Sequence, residues 1–245
     1  MVANAACSPA YRLLSNFMFR LGRRCQLCAA VLDHPEDFPL CPQCAALLAP
    51  RLGGYCPRCG DCYADPMAPV YDCLSCRTAP PPWAALGFYG SYSGLLRDLV
   101  HRHKFGRDHG LGVILRFMVL QAWRLHALER PDIIVPVPMR PMPVLRRGFN
   151  QSAELGRLLA GALGVAFAGQ GLLKIRETRA QSSLGRAARM RNVAGAFRAA
   201  RDVAGRRVLL VDDVMTTGAT MRACSRACRE AGAARIEVLV LARAS

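Results

Sequence analysis

From Trp83 onward the apolar positions follow two alternating rhythms. The runs AALGFYGSY (84–92), DIIVPVP (132–138), GLLKIRE (171–177), RRVLLVDD (206–213) and RIEVLVLAR (235–243) are short and strongly apolar, and predict strands. Between them lie longer stretches of helical period. YSGLLRDLVHRHKF puts Leu95, Leu96, Leu99 and Val100 on one face, and LGVILRFMVLQAWRL reads as a mostly buried helix. NQSAELGRLLAGALG predicts a helix opened by Asn150 as N-cap and stopped by Gly164, and TMRACSRACREAG predicts the last helix. Alternation of this kind predicts an α/β fold, a mostly parallel sheet covered by helices on both faces. Ligands of such sheets sit at the carboxyl ends of strands. Residues 178–197 (TRAQSSLGRAARMRNVAGAF) break the rhythm. They are polar, Arg-rich and weakly periodic, and read as a functional loop or a disordered stretch.

Before Trp83 the pattern is different. The PPP run at 80–82 resists both helix and sheet ladder and predicts a stiff linker. Residues 25–79 are rich in Cys and Pro and poor in helical periodicity. Residues 1–24 form an N-terminal arm whose apolar patch (Tyr11, Leu13, Leu14, Phe17, Met18, Leu21) is expected to pack on the rest of the protein. The expected organisation is therefore an arm at 1–24, a Cys-rich module with its linker at 25–82, and an α/β domain at 83–245. No stretch approaches the ~18 consecutive apolar residues of a membrane span. The start is a poor signal peptide, so a cytoplasmic protein without a transmembrane span is expected.

Nine of the twelve cysteines lie between Cys25 and Cys76. They include four Cys-x2-Cys pairs: Cys25/Cys28, Cys41/Cys44, Cys56/Cys59 and Cys73/Cys76. One such knuckle presents two thiolates to a metal, and two knuckles complete a tetrahedral sulfur site for Zn2+. Four pairs predict two closed, structural sites. Spacing leaves open whether consecutive or interleaved pairs share an ion, and whether Cys59/Cys62 replaces Cys56/Cys59. The run CPRCGDC also begins like an iron–sulfur pattern, but its fourth position is Pro66. Cys224 and Cys228, four apart on a predicted helix, are expected simply to pack.

The chain carries a formal charge of +16, unevenly placed. Residues 1–82 hold 7 Lys/Arg against 6 Asp/Glu, and residues 83–245 hold 26 against 11. A domain at +15 attracts polyanions such as phosphorylated metabolites or nucleic acid. Of the 33 basic residues, 31 are Arg, a skew that a GC-rich coding bias also produces.

The stretch VLLVDDVMTTGAT (208–220) carries the sharpest chemistry. A strand delivers Asp212 and Asp213 to its end, and a Thr/Gly loop then opens a helix. Backbone N–H groups at a helix start bind phosphate, and Gly218 lets the chain come close. Thr216, Thr217 and Thr220 add hydroxyl donors. The acids would repel that phosphate unless they face something else, such as vicinal hydroxyls or hydrated Mg2+. A sugar phosphate meets both demands. The Lys of a P-loop is absent.

This stretch resembles the phosphoribosyl-pyrophosphate (PRPP) signature of type I phosphoribosyltransferases. The resemblance implies that Asp212 and Asp213 bind the ribose 2- and 3-hydroxyls. It implies that Met215, Thr216, Thr217, Gly218, Ala219 and Thr220 hold the 5-phosphate, with Mg2+ accompanying PRPP. Taken with VPVPMRPMPVLRRGFNQSAELGRLLA, RAQSSLGRAARMRNVAGAF, HRHKFGRDHGLG and the Cys pairs, residues 25–245 resemble the competence protein F (ComF) family. That resemblance implies a double zinc ribbon before a phosphoribosyltransferase-type sheet, and a tie to DNA uptake. It points to Lys104, Arg140, Arg147, Gly148, Asn150, Gln151, Gln181, Arg189 and Asn192, with Met139 and Arg140 in the place of the pyrophosphate loop. Arg suits pyrophosphate by its bidentate fork.

One departure stands out. Some purine-using relatives carry a third acid inside the loop, where this chain has Met215-Thr216-Thr217, which argues against purine salvage. Two kinds of function follow. One is an enzyme transferring the phosphoribosyl group. The alternative is a non-catalytic protein that binds single-stranded DNA or docks a DNA-uptake partner.

Overall fold

The computed structural model describes residues 24–32, 39–105, 111–139, 150–178 and 186–244. Residues 1–23 of the N-terminal arm, Arg140, Arg147, Gly148, Phe149 and Gln181 lie outside the described residues, as does the side chain of Arg189. Two compact units divide between Ala49 and Pro50.

In the larger unit, β1 (Ala85–Ser91), β2 (Ile133–Pro136), β3 (Ala166–Phe167), β6 (Arg207–Met215) and β7 (Arg235–Arg243) form one sheet in the order β1-β7-β6-β2-β3. Every pairing in it is parallel. Apart from the two-residue edge strand β3, the strands are apolar on both faces because both faces are covered. Val208, Leu210, Val238 and Val240 enter one core cluster together with Leu86, Phe88, Ile133 and Val135. The alternate residues Leu209, Val211, Leu239 and Ile134 are equally buried and, by the two-residue period of a strand, face the other way. Pro136 costs no ladder bond. Its flanking residue Val137 donates to Val211 of β6, so the missing N–H falls on the β3 side, where pairing stops at Ile134.

The helices are α3 (Gly94–Phe105), α4 (Gly112–Leu125), α5 (Gln151–Leu163), α6 (Arg186–Val193) and α7 (Ala219–Glu230), after two short ones in the Cys-rich region, α1 (Pro42–Leu47) and α2 (Leu74–Thr78). Helix α5 ends as its sequence predicts. Asn150 Oδ1 accepts from the Ser152 N–H at 3.1 Å, and Gly164 closes the helix in the left-handed region at φ 62°. Cys224 and Cys228 are fully buried in the core, as expected of packing residues.

The structure departs from the sequence reading in four places. The two-residue β3 (Ala166–Phe167), which edges the main sheet beside β2, is not among the strands read from the sequence. GLLKIRE is not a strand of the main sheet: only Leu172–Lys174 is extended (β4), and it pairs antiparallel with Phe197–Ala199 (β5) in a separate two-stranded sheet. The Arg-rich stretch 178–197 is not all loop, since it contains α6 and runs into β5. The PPP run does not separate two bodies. Tyr55, from the Cys-rich region, packs edge-on to Phe88 of β1 with ring centroids 5.1 Å apart, and the Arg51 N–H donates to Tyr89 O. The second half of the Cys-rich region thus shares the sheet's own core.

Strand β2 leads through α5 to β3 on one side, while β6 leads through α7 to β7 on the other. The strand order therefore reverses between β2 and β6. At such a reversal the connecting chains diverge and leave a crevice beyond the carboxyl ends of the strands. The chain at this crevice comprises residues 137–139 after β2 and residues 212–218 at the end of β6.

Candidate functional site

Two strand ends and two helix starts meet at the reversal. Asp212 and Asp213 lie in the second half of β6 and are half-buried. The Asp212 carboxylate accepts from Ser152 Oγ at 2.6 Å and from the Asp213 N–H at 2.9 Å. Asp213 accepts from the Val214 N–H at 2.6 Å and pairs with Lys104 Nζ at 2.9 Å, a contact with both side chains mostly covered. The carboxyl end of α3 thus reaches the acids directly, and His103 beside it meets Glu154 of α5 at 3.1 Å. Asn150 Nδ2 donates to Val137 O at 3.3 Å, so the same helix start holds the chain leaving β2 and, through Ser152, an acid of β6.

Burial and the neighbouring Asp213 charge push the Asp212 carboxyl up to about 7; the Ser152 hydroxyl, the Asp213 N–H and Lys104 offset this only in part.

Residues 214–221 and Asp212 line a concave pocket. Gly218 makes its turn into α7. It sits in the left-handed region at φ 72° just before α7, and a Cβ there would meet Met215 Sδ at 3.6 Å and Trp83 Cη2 at 3.8 Å. No side chain caps the start of α7 strongly. Among the described residues the Ala219 N–H reaches Thr217 Oγ1 at 3.4 Å. The first N–H groups of a helix have no intrahelical acceptor, so this end suits an anion. Met215 and Ala219 are buried and shape the loop from below, while Thr216 is exposed and Thr217 and Thr220 are half-buried. Met139 is half-buried after β2. The structure thus brings together Asp212, Asp213, Lys104 and residues 215–220. Ser152 is a member that sequence reading missed, since a Ser in the first turn of a helix looks like an ordinary helix-start residue.

The cysteines fall into two groups of four, Cys25/Cys28/Cys41/Cys44 and Cys56/Cys59/Cys73/Cys76, with all sulfurs of a group within 4.8 Å of one another. Consecutive pairs therefore share a site. Cys62 stands aside, with its thiol on Gly60 O and accepting from Ser91 Oγ, each at 3.5 Å. Both groups have one build. The first pair sits on a tight turn, and the second pair begins a short helix with Cys41 or Cys73 at its N-cap. Sulfur–sulfur separations of 3.6 Å for Cys28–Cys41 and 3.8 Å for Cys59–Cys73 match the ~3.8 Å of a tetrahedral zinc site with ~2.3 Å bonds. Backbone donors also favour thiolates. Burial works to raise Cys25, but N–H groups of Cys28, Cys41 and Leu27 bring it down to about 6. Cys56 likewise accepts from the Cys73 N–H at 3.4 Å. The residues present fit Zn2+ in both groups, as two zinc ribbons.

Comparison with known proteins finds a matching family and several relatives. The phosphoribosyl transferase domain family matches residues 122–245. The DNA utilization protein YhgH of Salmonella typhimurium is 37% identical over 223 residues, spanning 89% of this chain and 96% of that protein. Competence protein F of Haemophilus influenzae is 33% identical over 195 residues, 77% and 85% of the two chains. The glutamine PRPP amidotransferase of B. subtilis, solved with ADP and GMP, overlaps 51% of this chain at 29% identity and a TM-score of 0.36; the match spans 25% of that protein.

Proposed function

This chain belongs to the competence protein F family, with a phosphoribosyltransferase domain in its second half, and from that premise we propose that it binds PRPP with Mg2+ at the end of β6. One observation carries the reading: two carboxylates and a weakly capped helix start lie on consecutive residues at the reversal of strand order. The helix start and the Thr hydroxyls take the 5-phosphate, and Asp212 and Asp213 take the ribose hydroxyls. Those carboxylates are hard oxygen donors suited to Mg2+, which when bound would supply positive charge against the pyrophosphate. Lys104 then exchanges its Asp213 contact for the ligand's negative charge. Arg140 and Arg147 are the proposed pyrophosphate contacts.

Residues 214–220 contain no acid or base, so the loop supports binding and orientation rather than proton transfer. A second reading, handling of DNA in the cytoplasm with an uptake partner, is favoured by the +15 charge of residues 83–245 and by the names of the relatives.

Binding of one ligand stabilises the folded protein by mass action, about 2.7 kcal/mol at a hundredfold excess over Kd. PRPP with Mg2+ is therefore expected to raise the melting temperature in a saturable, concentration-dependent way, and no shift at millimolar ligand contradicts the proposal. The effect should also depend on pH. Ionised Asp212 accepts hydroxyls and holds a cation more strongly than the protonated acid, and burial and Asp213 hold its proton up to about 7, so affinity falls as the pH drops below that and levels off above it. The ligand's phosphate titrates nearby, so Asp212→Asn is the control. The additional loss of affinity between pH 8 and pH 6 should vanish in that variant.

A further inference from the structure

The second zinc ribbon is tied to the phosphate loop by two side chains of the sheet domain. Arg243, the last residue of β7, is 7% exposed. Its Nε donates to Cys59 O at 2.9 Å, and Cys59 is one of the four sulfur ligands of the second cluster. Its Nη1 donates to Met215 O at 3.1 Å and also to the carbonyls of Thr216 and Ala244. Its Nη2 faces Asp61 at 3.7 Å. One guanidinium therefore bridges the metal knuckle and the first residues of the loop. Trp83 makes a parallel link, since its Nε1 donates to Arg58 O at 2.7 Å inside the same knuckle, and its ring edge flanks Gly218. The approach is close: a Cβ on Gly60, in the turn of the knuckle, would stand 2.7 Å from Leu86 and 3.4 Å from Arg243 Cδ.

These contacts need an arginine. Five N–H donors in a planar fork reach carbonyls on opposite sides at once, whereas a lysine carries its three donors on one atom. A carbonyl is also a poor anchor unless its own chain is fixed. Bound metal fixes Cys59 and so gives Arg243 a rigid base. We propose that Arg243 is a positioning residue that couples metal in the second cluster to the shape of the sugar-phosphate loop, so that losing this one metal loosens the loop and weakens the ligand. The affinity part rests on the PRPP reading above; the coupling itself does not.

The test uses the full chain. Hydrogen exchange is followed at residues 216–219, with Val208 to Val211 in β6 as internal reference, and PRPP affinity is measured with Mg2+ present. Three variants are compared: Cys73→Ser, which breaks the second cluster; Cys28→Ser, which breaks the first; and Arg243→Lys, which leaves every metal ligand intact. Cys73→Ser and Arg243→Lys are each expected to speed loop exchange and weaken PRPP by about tenfold, the effect of one lost charge-assisted hydrogen bond. Combining them should add little to either alone, and Cys28→Ser should leave the loop unchanged.

Unchanged loop exchange in Arg243→Lys, or fully additive effects in the double variant, overturns the proposal. Should Cys73→Ser unfold the β6 reference as well, Arg243→Lys with both metals bound decides alone. Should wild-type protein fail to bind PRPP, that failure falls on the ligand reading, and exchange still decides the coupling.

Discussion

Stripping zinc with a strong chelator is expected to release two metal equivalents per chain and to melt the first ribbon outright. Among the described residues of that unit the buried side chains are Cys25, Leu32, Leu40, Cys41, Cys44 and Leu48, half of them thiols. Three leucines cannot offset the ordering of so many residues, each of which costs about 1–2 kcal/mol of backbone entropy. A structural zinc contributes on the order of 10–16 kcal/mol at neutral pH, comparable to the whole net stability of a domain. The second ribbon has apolar help, since Tyr55 and Trp83 enter the sheet's core cluster. Its backbone should therefore loosen rather than dissolve. Metal release read with a chromophoric chelator, alongside amide exchange, checks both statements. A first ribbon that keeps its protection with no metal bound would contradict them.

Replacing Gly218 with valine is expected to reduce PRPP affinity by at least ~100-fold while the sheet stays folded. The position has φ 72°, which costs an L-residue roughly 1–2 kcal/mol and a β-branched one more. Relaxing to negative φ turns the following N–H groups away from the pocket. Holding the conformation instead drives the side chain toward Met215 and Trp83, which stand 3.6 and 3.8 Å from the position of a Cβ. Alanine meets the same backbone cost with less crowding, and should lose about tenfold. Calorimetric titration measures both. Wild-type affinity in the valine variant would mean that the loop does not hold the phosphate.

Four strands of the parallel sheet were legible because each is a compact apolar run buried on both faces, and its helices announce their ends, as at Asn150 and Gly164; the fifth, β3, is two residues long and incompletely buried, and leaves no such run. The acid pair and its loop were legible for a related reason. Their chemistry is compressed into consecutive residues, so no tertiary information is needed to bring them together. What escaped depends on long-range contact. Leu172–Lys174 reads like any strand, and only its partner at Phe197–Ala199 removes it from the main sheet. Helix α6 is short, and its Arg-rich composition gives no apolar stripe to see. Ser152 lies 60 residues from Asp212, and Arg243 lies 184 from Cys59. Nothing local marks either. Cysteine spacing gave the four pairs but not their partners, because pairing is set by the fold of the ribbon and not by the length of a gap. The PPP run misled in the same way, since stiffness alone does not say what the chain on each side packs against.

The central claim is that Asp212 and Asp213 together with residues 215–220 form one site for a phosphoribosyl ligand. Calorimetric titration of PRPP with Mg2+ into wild-type protein and into the Asp212→Asn/Asp213→Asn variant tests it most directly. Each amide keeps the size of the acid it replaces but removes the charge that accepts hydroxyls or cation. The account predicts saturable one-to-one binding in the wild type and a loss of at least ~100-fold in the variant, with a cooperative melting transition in both proteins when ligand is absent. Equal affinity in the two proteins, or no binding to either, would contradict it.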